Sequence, residues 1–172
     1  MPGWGVEVDV IKPIETHYKG YRFRSRLEAR WAIYFDVCGI KWEYEREGFD
    51  LGRLGPYLPD FWLPQVQMWA EVKAQEFTKA ERAKCRALAR YSKTCVLMLD
   101  GSPDNKWYTA IEPNGDEVEY GVTDHHAYHT TENRFYCSPG CPTPADEGVL
   151  TDNAKRAIVA ARSARFEHGE TP

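Results

Sequence analysis

The chain has little net charge, no long apolar run and only five cysteines among its 172 residues. A net charge of -4, from 22 basic and 26 acidic side chains, argues against a uniformly basic nucleic-acid coat but is compatible with a local basic patch. No stretch approaches the roughly 18 apolar residues of a membrane span. The first residues also lack the charged and then apolar pattern of a secretory signal. We therefore expect a soluble, cytoplasmic protein without a membrane partner and, in that reducing compartment, without disulfides.

What the chain does contain is enough apolar and aromatic material to fill a core. Hydrophobic residues make up 42% of the sequence and aromatic residues 13%. Its length suits one domain with a small appendage. We predict a core domain at 1–122 and an extension at 123–172, because composition shifts to His, Cys, Pro and Gly after Val122.

Hydrophobic periodicity predicts an α/β domain with a mixed central sheet. Residues 18–23 alternate aromatic and basic side chains, as in a short hairpin arm. Ser25 begins a helix whose apolar stripe ends at Gly39, where a helix usually stops. The remaining predictions are strands at 41–47, 57–63 and 68–73, a helix at 78–92, strands at 95–99, 107–111 and 117–122, and a last helix at 151–166. From the first helix onward the order is α-β-β-β-α-β.

The sharpest chemical pattern joins Asp60 to Glu71 and Lys73. Asp60 and Glu71 lie eleven positions apart on strands predicted to be adjacent, and Glu71 and Lys73 are two apart, so they point to one face. Two carboxylates and one ammonium would then share a surface of the sheet. Hard cations such as Mg²⁺ take carboxylate oxygens and keep several waters. The metal neutralises charge on phosphoryl oxygens, and the lysine would position an attacking water, so the set suits phosphodiester hydrolysis.

Asp60, preceded by Pro59, together with Glu71-Val72-Lys73, resembles the PD-(D/E)XK nuclease superfamily. The resemblance implies a restriction-endonuclease-like α-β-β-β-α-β core and metal-dependent cleavage of DNA with Mg²⁺ or Mn²⁺. Members often carry a further acidic residue on the first helix, a position that Glu28 matches here, so the resemblance implies that Glu28 is a catalytic residue and holds the metal together with Asp60 and Glu71. The stretch from Tyr18 to Lys73 is similar to small nucleases of phages and their hosts, some of them resolvase-like, which would place the protein in the host cytoplasm.

Structural interpretations stand beside these functional ones. Ser25 and Glu28 form a capping-box pattern, so Glu28 is also explained as a helix cap. Asp60 also suits a turn, and Glu71 with Lys73 an ordinary ion pair on a solvated strand. Gln75 continues the alternation and is a candidate to orient a water or a phosphate, or else a polar residue at a strand end.

Two basic clusters are candidate DNA contacts. On the second helix we predict a packing face of Ala80, Ala83, Ala87, Leu88 and Tyr91. Five basic residues at spacings of three or four form one stripe opposite this face, and their like charges repel one another unless an anion is present; the alternative is a solvated face. A second cluster precedes and enters the first helix, interleaved with aromatic residues. Their members are Lys79, Arg82, Arg86, Arg90 and Lys93, and Lys19, Arg22, Arg24, Arg26 and Arg30.

The extension carries a candidate zinc knuckle. Cys137 and Cys141 enclose three residues, within the usual knuckle spacing, and His125, His126 or His129 could complete the ligand set of a structural Zn²⁺. The alternative is free thiols and solvated histidines in a loop.

Three functions remain open from the sequence. The first is a structure-directed DNA endonuclease, which as a resolvase should be a symmetric homodimer. The second is an exonuclease or end-processing nuclease, and the third is a non-catalytic DNA-binding accessory protein on the same fold. Only the first two need the complete set of acidic residues and lysine.

Overall fold

The computed structural model describes residues 13–104, 107–121 and 152–166 and places three helices and a six-stranded mixed sheet within them. The predicted α/β class with a mixed sheet is therefore confirmed. In chain order the strands and helices are β1 (Thr16–Tyr18), β2 (Tyr21–Phe23), α1 (Arg26–Cys38), β3 (Glu43–Tyr44), β4 (Phe49–Asp50), β5 (Pro56–Tyr57), β6 (Phe61–Leu63), β7 (Met68–Lys73), α2 (Lys79–Ser92), β8 (Val96–Asp100), β9 (Trp107–Ile111), β10 (Glu117–Gly121) and α3 (Asp152–Ser163).

The main sheet has the strand order β10-β9-β8-β7-β6-β3. Its central pair, β7 and β8, is parallel, and the other neighbours are antiparallel. The crossover between the parallel strands contains α2, as a parallel connection requires. Alternate residues of β7 enter different cores. Ala70 and Val72 pack in the cluster that contains the aromatic residues of α1, whereas Trp69 packs in the cluster of α2.

The first helix begins and ends where its caps predict. The Ser25 hydroxyl accepts a hydrogen bond from the Glu28 N–H at 3.2 Å, and Gly39 ends the helix with a φ of 74°. A residue with a Cβ is disfavoured in that left-handed conformation. Trp31 and Phe35 are almost completely buried, and the small residues Ala157, Ala161 and Ala164 of the C-terminal segment share their core. The helix α3, which we assigned to the extension, thus packs against α1.

The hairpin arm and most long elements agree with the predictions, but two strands are shorter. Within 41–47 only Glu43–Tyr44 pairs with the main sheet, and within 57–63 only Phe61–Leu63 does. Pro59 separates the latter from Pro56–Tyr57, which pairs instead with Phe49–Asp50. A proline lacks the N–H that a continuous ladder would need.

The packing face of α2 was predicted correctly only for Leu88. The sequence indicated Ala80, Ala83, Ala87, Leu88 and Tyr91, whereas the buried residues are Cys85, Leu88 and Ala89, and Tyr91 is 67% exposed. At 100° per residue, the basic stripe borders this buried face instead of lying opposite it. This difference determines which partners the arginines of α2 find.

Two further expectations from the sequence concern the cysteines and the absence of a membrane-spanning helix. Cys38 and Cys85 are buried, as core residues should be. Cys95 is disulfide-bonded, so the expectation of a chain without disulfides is wrong for this residue. None of the helices in the described part of the chain combines the length and the apolar character that crossing a bilayer requires.

Candidate active site

The hairpin of β6 and β7 brings Asp60 beside Glu71. Its register pairs Phe61 with Ala70 and Trp62 with Trp69, so one further step places Asp60 opposite Glu71. Asp60 Oδ2 accepts a hydrogen bond of 2.7 Å from the Val72 N–H, which fixes the carboxylate at the end of the ladder. The structure therefore brings together the two acidic residues that the sequence analysis paired.

Lys73 lies against Glu71 on the same strand. Its Nζ donates to Glu71 Oε1 at 2.6 Å, and its side chain is 33% exposed whereas that of Glu71 is 4% exposed. The other oxygen, Glu71 Oε2, is buried and accepts no hydrogen bond from any described residue. Burial lowers the pKa of Lys73, but the charge of Glu71 and this hydrogen bond outweigh it and raise the pKa above its ordinary value. Lys73 therefore remains an ammonium at neutral pH.

Glu28 combines the two interpretations that the sequence left open. Its carboxylate accepts hydrogen bonds from the Ser25 hydroxyl at 2.7 Å, from the Arg24 N–H at 3.1 Å and from the Tyr44 hydroxyl at 2.5 Å. Glu28 thus stabilises the entry of α1, and its charge also contributes to the field at Asp60. Burial and the bond to Glu28 raise the pKa of Tyr44, which keeps the phenol protonated as a donor.

Asp60 is buried among charged groups of both signs. It is 2% exposed, and burial, followed by the charges of Glu71 and Glu28, raises its pKa well above the ordinary value, although the Val72 N–H and Lys73 oppose the shift. Arg24 offsets part of the cost of burying this charge, because its Nη2 lies 2.5 Å from Asp60 Oδ1. The Arg24 Nε also lies 2.7 Å from Glu45, and the arginine side chain is 53% exposed.

The donor set suits a hard cation. Buried carboxylates that repel one another, with one oxygen lacking a hydrogen bond, match what Mg²⁺ or Mn²⁺ would neutralise. Among the described residues, no group of three His, Cys, Asp or Glu side chains is arranged to hold a metal ion as it stands. Mg²⁺ is nevertheless often bound by one or two carboxylates plus water and substrate phosphates, so Asp60 and Glu71 suffice as its protein ligands.

Gln75 lies outside the strand on which its candidacy rested. The strand β7 ends at Lys73, and Gln75 follows in a bend, exposed and without a hydrogen bond to the described residues. The alternation therefore does not reach it, and its position agrees with the simpler interpretation of a polar residue after a strand.

Two arginines of the basic stripe on α2 form ion pairs with an acidic residue of the protein itself. Arg82 Nη1 lies 2.6 Å from Glu117 of β10, and Arg86 pairs with the same carboxylate. The Arg90 guanidinium packs against the turn at Gly115, whose φ is 96°. Within the described ranges, Lys79, Arg90 and Lys93 of this stripe form no ion pair.

The basic cluster at the start of α1 likewise contains some residues that pair with acidic residues of the protein and others that do not lie at the acidic site. Lys19 Nζ lies 3.0 Å from Asp36, Arg22 pairs with Glu15, and Arg24 belongs to the acidic site. Arg26 and Arg30 lie elsewhere, in a cavity next to α3. The sequence indicated Arg24 as a DNA contact but did not indicate its position beside Asp60. Tyr44 and Glu45 were not among the predicted site residues. In the sequence, Tyr44 and Glu45 are marked only by the charged residues around them, and that pattern does not show which residues they contact.

The candidate zinc ligands Cys137, Cys141, His125, His126 and His129 lie outside the described residues. Comparison of the chain with protein-family models, with curated proteins and with solved structures finds no significant match.

Proposed function

We propose that this protein is a metal-dependent deoxyribonuclease of the PD-(D/E)XK type, with a restriction-endonuclease-like core, that hydrolyses internal phosphodiester bonds. The observation that carries the proposal is the meeting of Asp60, Glu71 and Lys73 at one end of the β6–β7 hairpin, with Glu28 beside them. The order α1-β3-β6-β7-α2-β8 supports it, since this is the α-β-β-β-α-β order that the resemblance implies.

Each residue of the set has a distinct task in this proposal. Asp60 and Glu71 would hold Mg²⁺ or Mn²⁺, which supplies positive charge to the phosphoryl oxygens and acidifies water. Lys73 stays protonated beside Glu71, so its Nζ can donate a hydrogen bond to the attacking water and to the phosphate. Glu28, held by Ser25 and Tyr44, adds negative charge to the site and keeps the first turn of α1 in place.

Arg24 pairs with Asp60 in this structure, and we assign it a separate role in substrate binding. Its side chain is half exposed, so its guanidinium can leave Asp60 while remaining near Glu45. Released from the carboxylate, it would be a bidentate donor for the phosphate of the substrate. Exchange of this arginine for a cation and a phosphate would make DNA and metal binding mutually dependent.

The substrate preference follows from the kind of contacts available. The described basic residues around the site are arginines and lysines, which bind phosphates and carry no sequence information by that contact, so we expect DNA structure to direct the enzyme. Paired cuts at a branched substrate would require a symmetric homodimer. An exonuclease or end-processing activity on the same site is distinguished from this by its products.

A specific observation favours a second candidate, a non-catalytic DNA-binding accessory protein. Asp60 and Glu71 each already bind a protein cation, Arg24 and Lys73. If these pairs persisted with DNA bound, the carboxylates would serve structure alone, as charge-paired residues inside a fold that has kept its shape.

Cleavage assays separate these candidates. The purified protein is incubated with linear, nicked, flapped and four-way-junction DNA in Mg²⁺, Mn²⁺ or EDTA. The variants Lys73→Met and Asp60→Asn are expected to reduce metal-dependent cleavage at least about 100-fold, because they remove charge at the reacting phosphate. The matched controls Lys155→Met and Asp152→Asn change exposed residues of α3 and should cleave as the wild type does. Binding without cleavage on every substrate would favour the accessory protein.

A further inference from the structure

A cavity of about 410 Å³ lies where the N-terminal end of α1 meets the C-terminal end of α3, and arginines dominate its lining. Two come from α1, one from the last turn of α3 and one from the segment that follows α3, namely Arg26, Arg30, Arg162 and Arg165. The other described lining residues are Ser163, Ala164 and Phe166, so none of the described residues of the lining is acidic. Four guanidinium groups thus share one concave surface.

Three of the four arginines that line this cavity have no acidic partner within the described ranges. Arg30, Arg162 and Arg165 form no ion pair with any residue in the described ranges, and the Arg30 Nε is buried without a hydrogen-bond acceptor there. On the same helix, by contrast, Lys155 pairs with Asp152 and Arg156 donates to Asn153. A buried donor without an acceptor, beside like charges, costs free energy that a bound anion would recover.

We infer that this cavity binds a phosphate of the DNA strand. Guanidinium groups are planar, remain charged at all physiological pH values and bind phosphate oxygens in pairs, which distinguishes them from lysine as phosphate ligands. The inference takes its ligand class from the proposed function, but it concerns binding and does not require that the protein cleaves DNA.

The position of the cavity relative to the acidic site supports the binding of one DNA strand at both places. Arg26 and Arg30 lie on one face of α1, and Glu28 is two residues from each, about 200° around the helix. All three belong to its first turns, so the cavity and the site flank the same end of α1. A helix with side chains is roughly 10–12 Å across, which corresponds to about three nucleotides at roughly 3.4 Å each. The cavity would therefore hold a phosphate a few nucleotides from the reacting one.

The test is a DNA-binding titration in EDTA, in which cleavage plays no part. The double variant Arg162→Gln/Arg165→Gln is compared with Lys155→Gln/Arg156→Gln, which removes the same charge from the same helix away from the cavity. We expect the cavity variant to bind duplex DNA about tenfold more weakly. We also expect the slope of log K against log[salt] to fall in magnitude by about 1, as for one lost phosphate contact. The control variant should behave as the wild type, and circular dichroism should show both variants folded.

The outcomes are distinct. Unchanged affinity in the cavity variant, or an equal loss in both double variants, would overturn the inference, the latter because it would reflect charge in general. Titration of closed circular DNA beside linear DNA with 5′-phosphates distinguishes the source, since a loss confined to the linear form assigns a terminal phosphate and a loss on both assigns an internal one. Cavity-dependent binding without cleavage would support this site and contradict the nuclease; cleavage with unchanged binding in the cavity variant would do the reverse.

Discussion

Replacing Asp60 by asparagine should stabilise the metal-free protein while abolishing the proposed cleavage of DNA. Asp60 is 2% exposed and faces the charges of Glu71 and Glu28. An asparagine oxygen can still accept from the Val72 N–H, which Asp60 Oδ2 now binds at 2.7 Å. The substitution therefore removes a buried charge and keeps the buried backbone hydrogen bond.

The expected magnitude is a difference between two terms. Two unit charges about 5 Å apart, the usual separation of opposed residues, repel by about 3 kcal/mol at an effective dielectric constant of about 20. The cations of Arg24 and Lys73 already cancel part of this repulsion. Loss of the half-exposed pair with Arg24 costs up to about 1 kcal/mol. A net gain of about 1–2 kcal/mol remains, equivalent to roughly 2–8 °C in Tm for a chain of this size.

The pH dependence of this gain has a definite sign. Because the pKa of Asp60 is raised in the folded state, the folded protein binds more protons than the unfolded one between the ordinary and the raised pKa. Wild-type stability therefore falls as pH rises through that window, and the asparagine variant lacks this loss. The two proteins should converge below about pH 4, near the ordinary pKa of an aspartate, and diverge as pH rises.

Urea and thermal unfolding in EDTA from pH 4 to pH 8 measure this difference. The control is Asp152→Asn, since the side chain of Asp152 is 95% exposed and its charge should contribute little to stability. A variant less stable than the wild type at pH 7.5, or a difference independent of pH, would refute the reasoning. Such a result would mean that Arg24 stabilises Asp60 more than the neighbouring carboxylates destabilise it.

Three further predictions follow from individual contacts. At a free Mn²⁺ concentration about 100 times its Kd, the free energy of unfolding of the wild type should rise by about 2.7 kcal/mol, measured by thermal unfolding. The rise should be far smaller for Asp60→Asn, and an equal rise in both proteins would mean that the metal binds elsewhere. Tyr44→Phe removes the hydroxyl that donates to Glu28 and accepts from the Arg24 N–H. It should lower the free energy of unfolding in urea by about 1–3 kcal/mol, and an unchanged value would show that water replaces both bonds. Glu117→Gln removes the carboxylate that pairs with two arginines of α2, so fluorescence anisotropy should report tighter, more salt-dependent DNA binding; an unaltered Kd would exclude that face of α2 from the DNA interface.

The sequence alone determined the elements that depend on local chemistry. The bounds of α1 follow from Ser25 and Gly39, because a side-chain acceptor and a residue without a Cβ satisfy needs of the helix ends themselves. The common face of Glu71 and Lys73 follows from the period of a strand. The opposition of Asp60 and Glu71 was also predictable, since a short hairpin leaves few registers.

Only the tertiary structure decided which charges meet across the fold. Arg24 was one of several basic residues before α1 until the end of β6 placed Asp60 within 2.5 Å of it. The arginines of α2 resembled a free stripe until β10 brought Glu117 to them. Arg30 and Arg162 are 132 positions apart and share a cavity because α3 packs on α1. Ion pairs and cavities depend on distances between elements, and helical or strand periodicity carries no information about those distances.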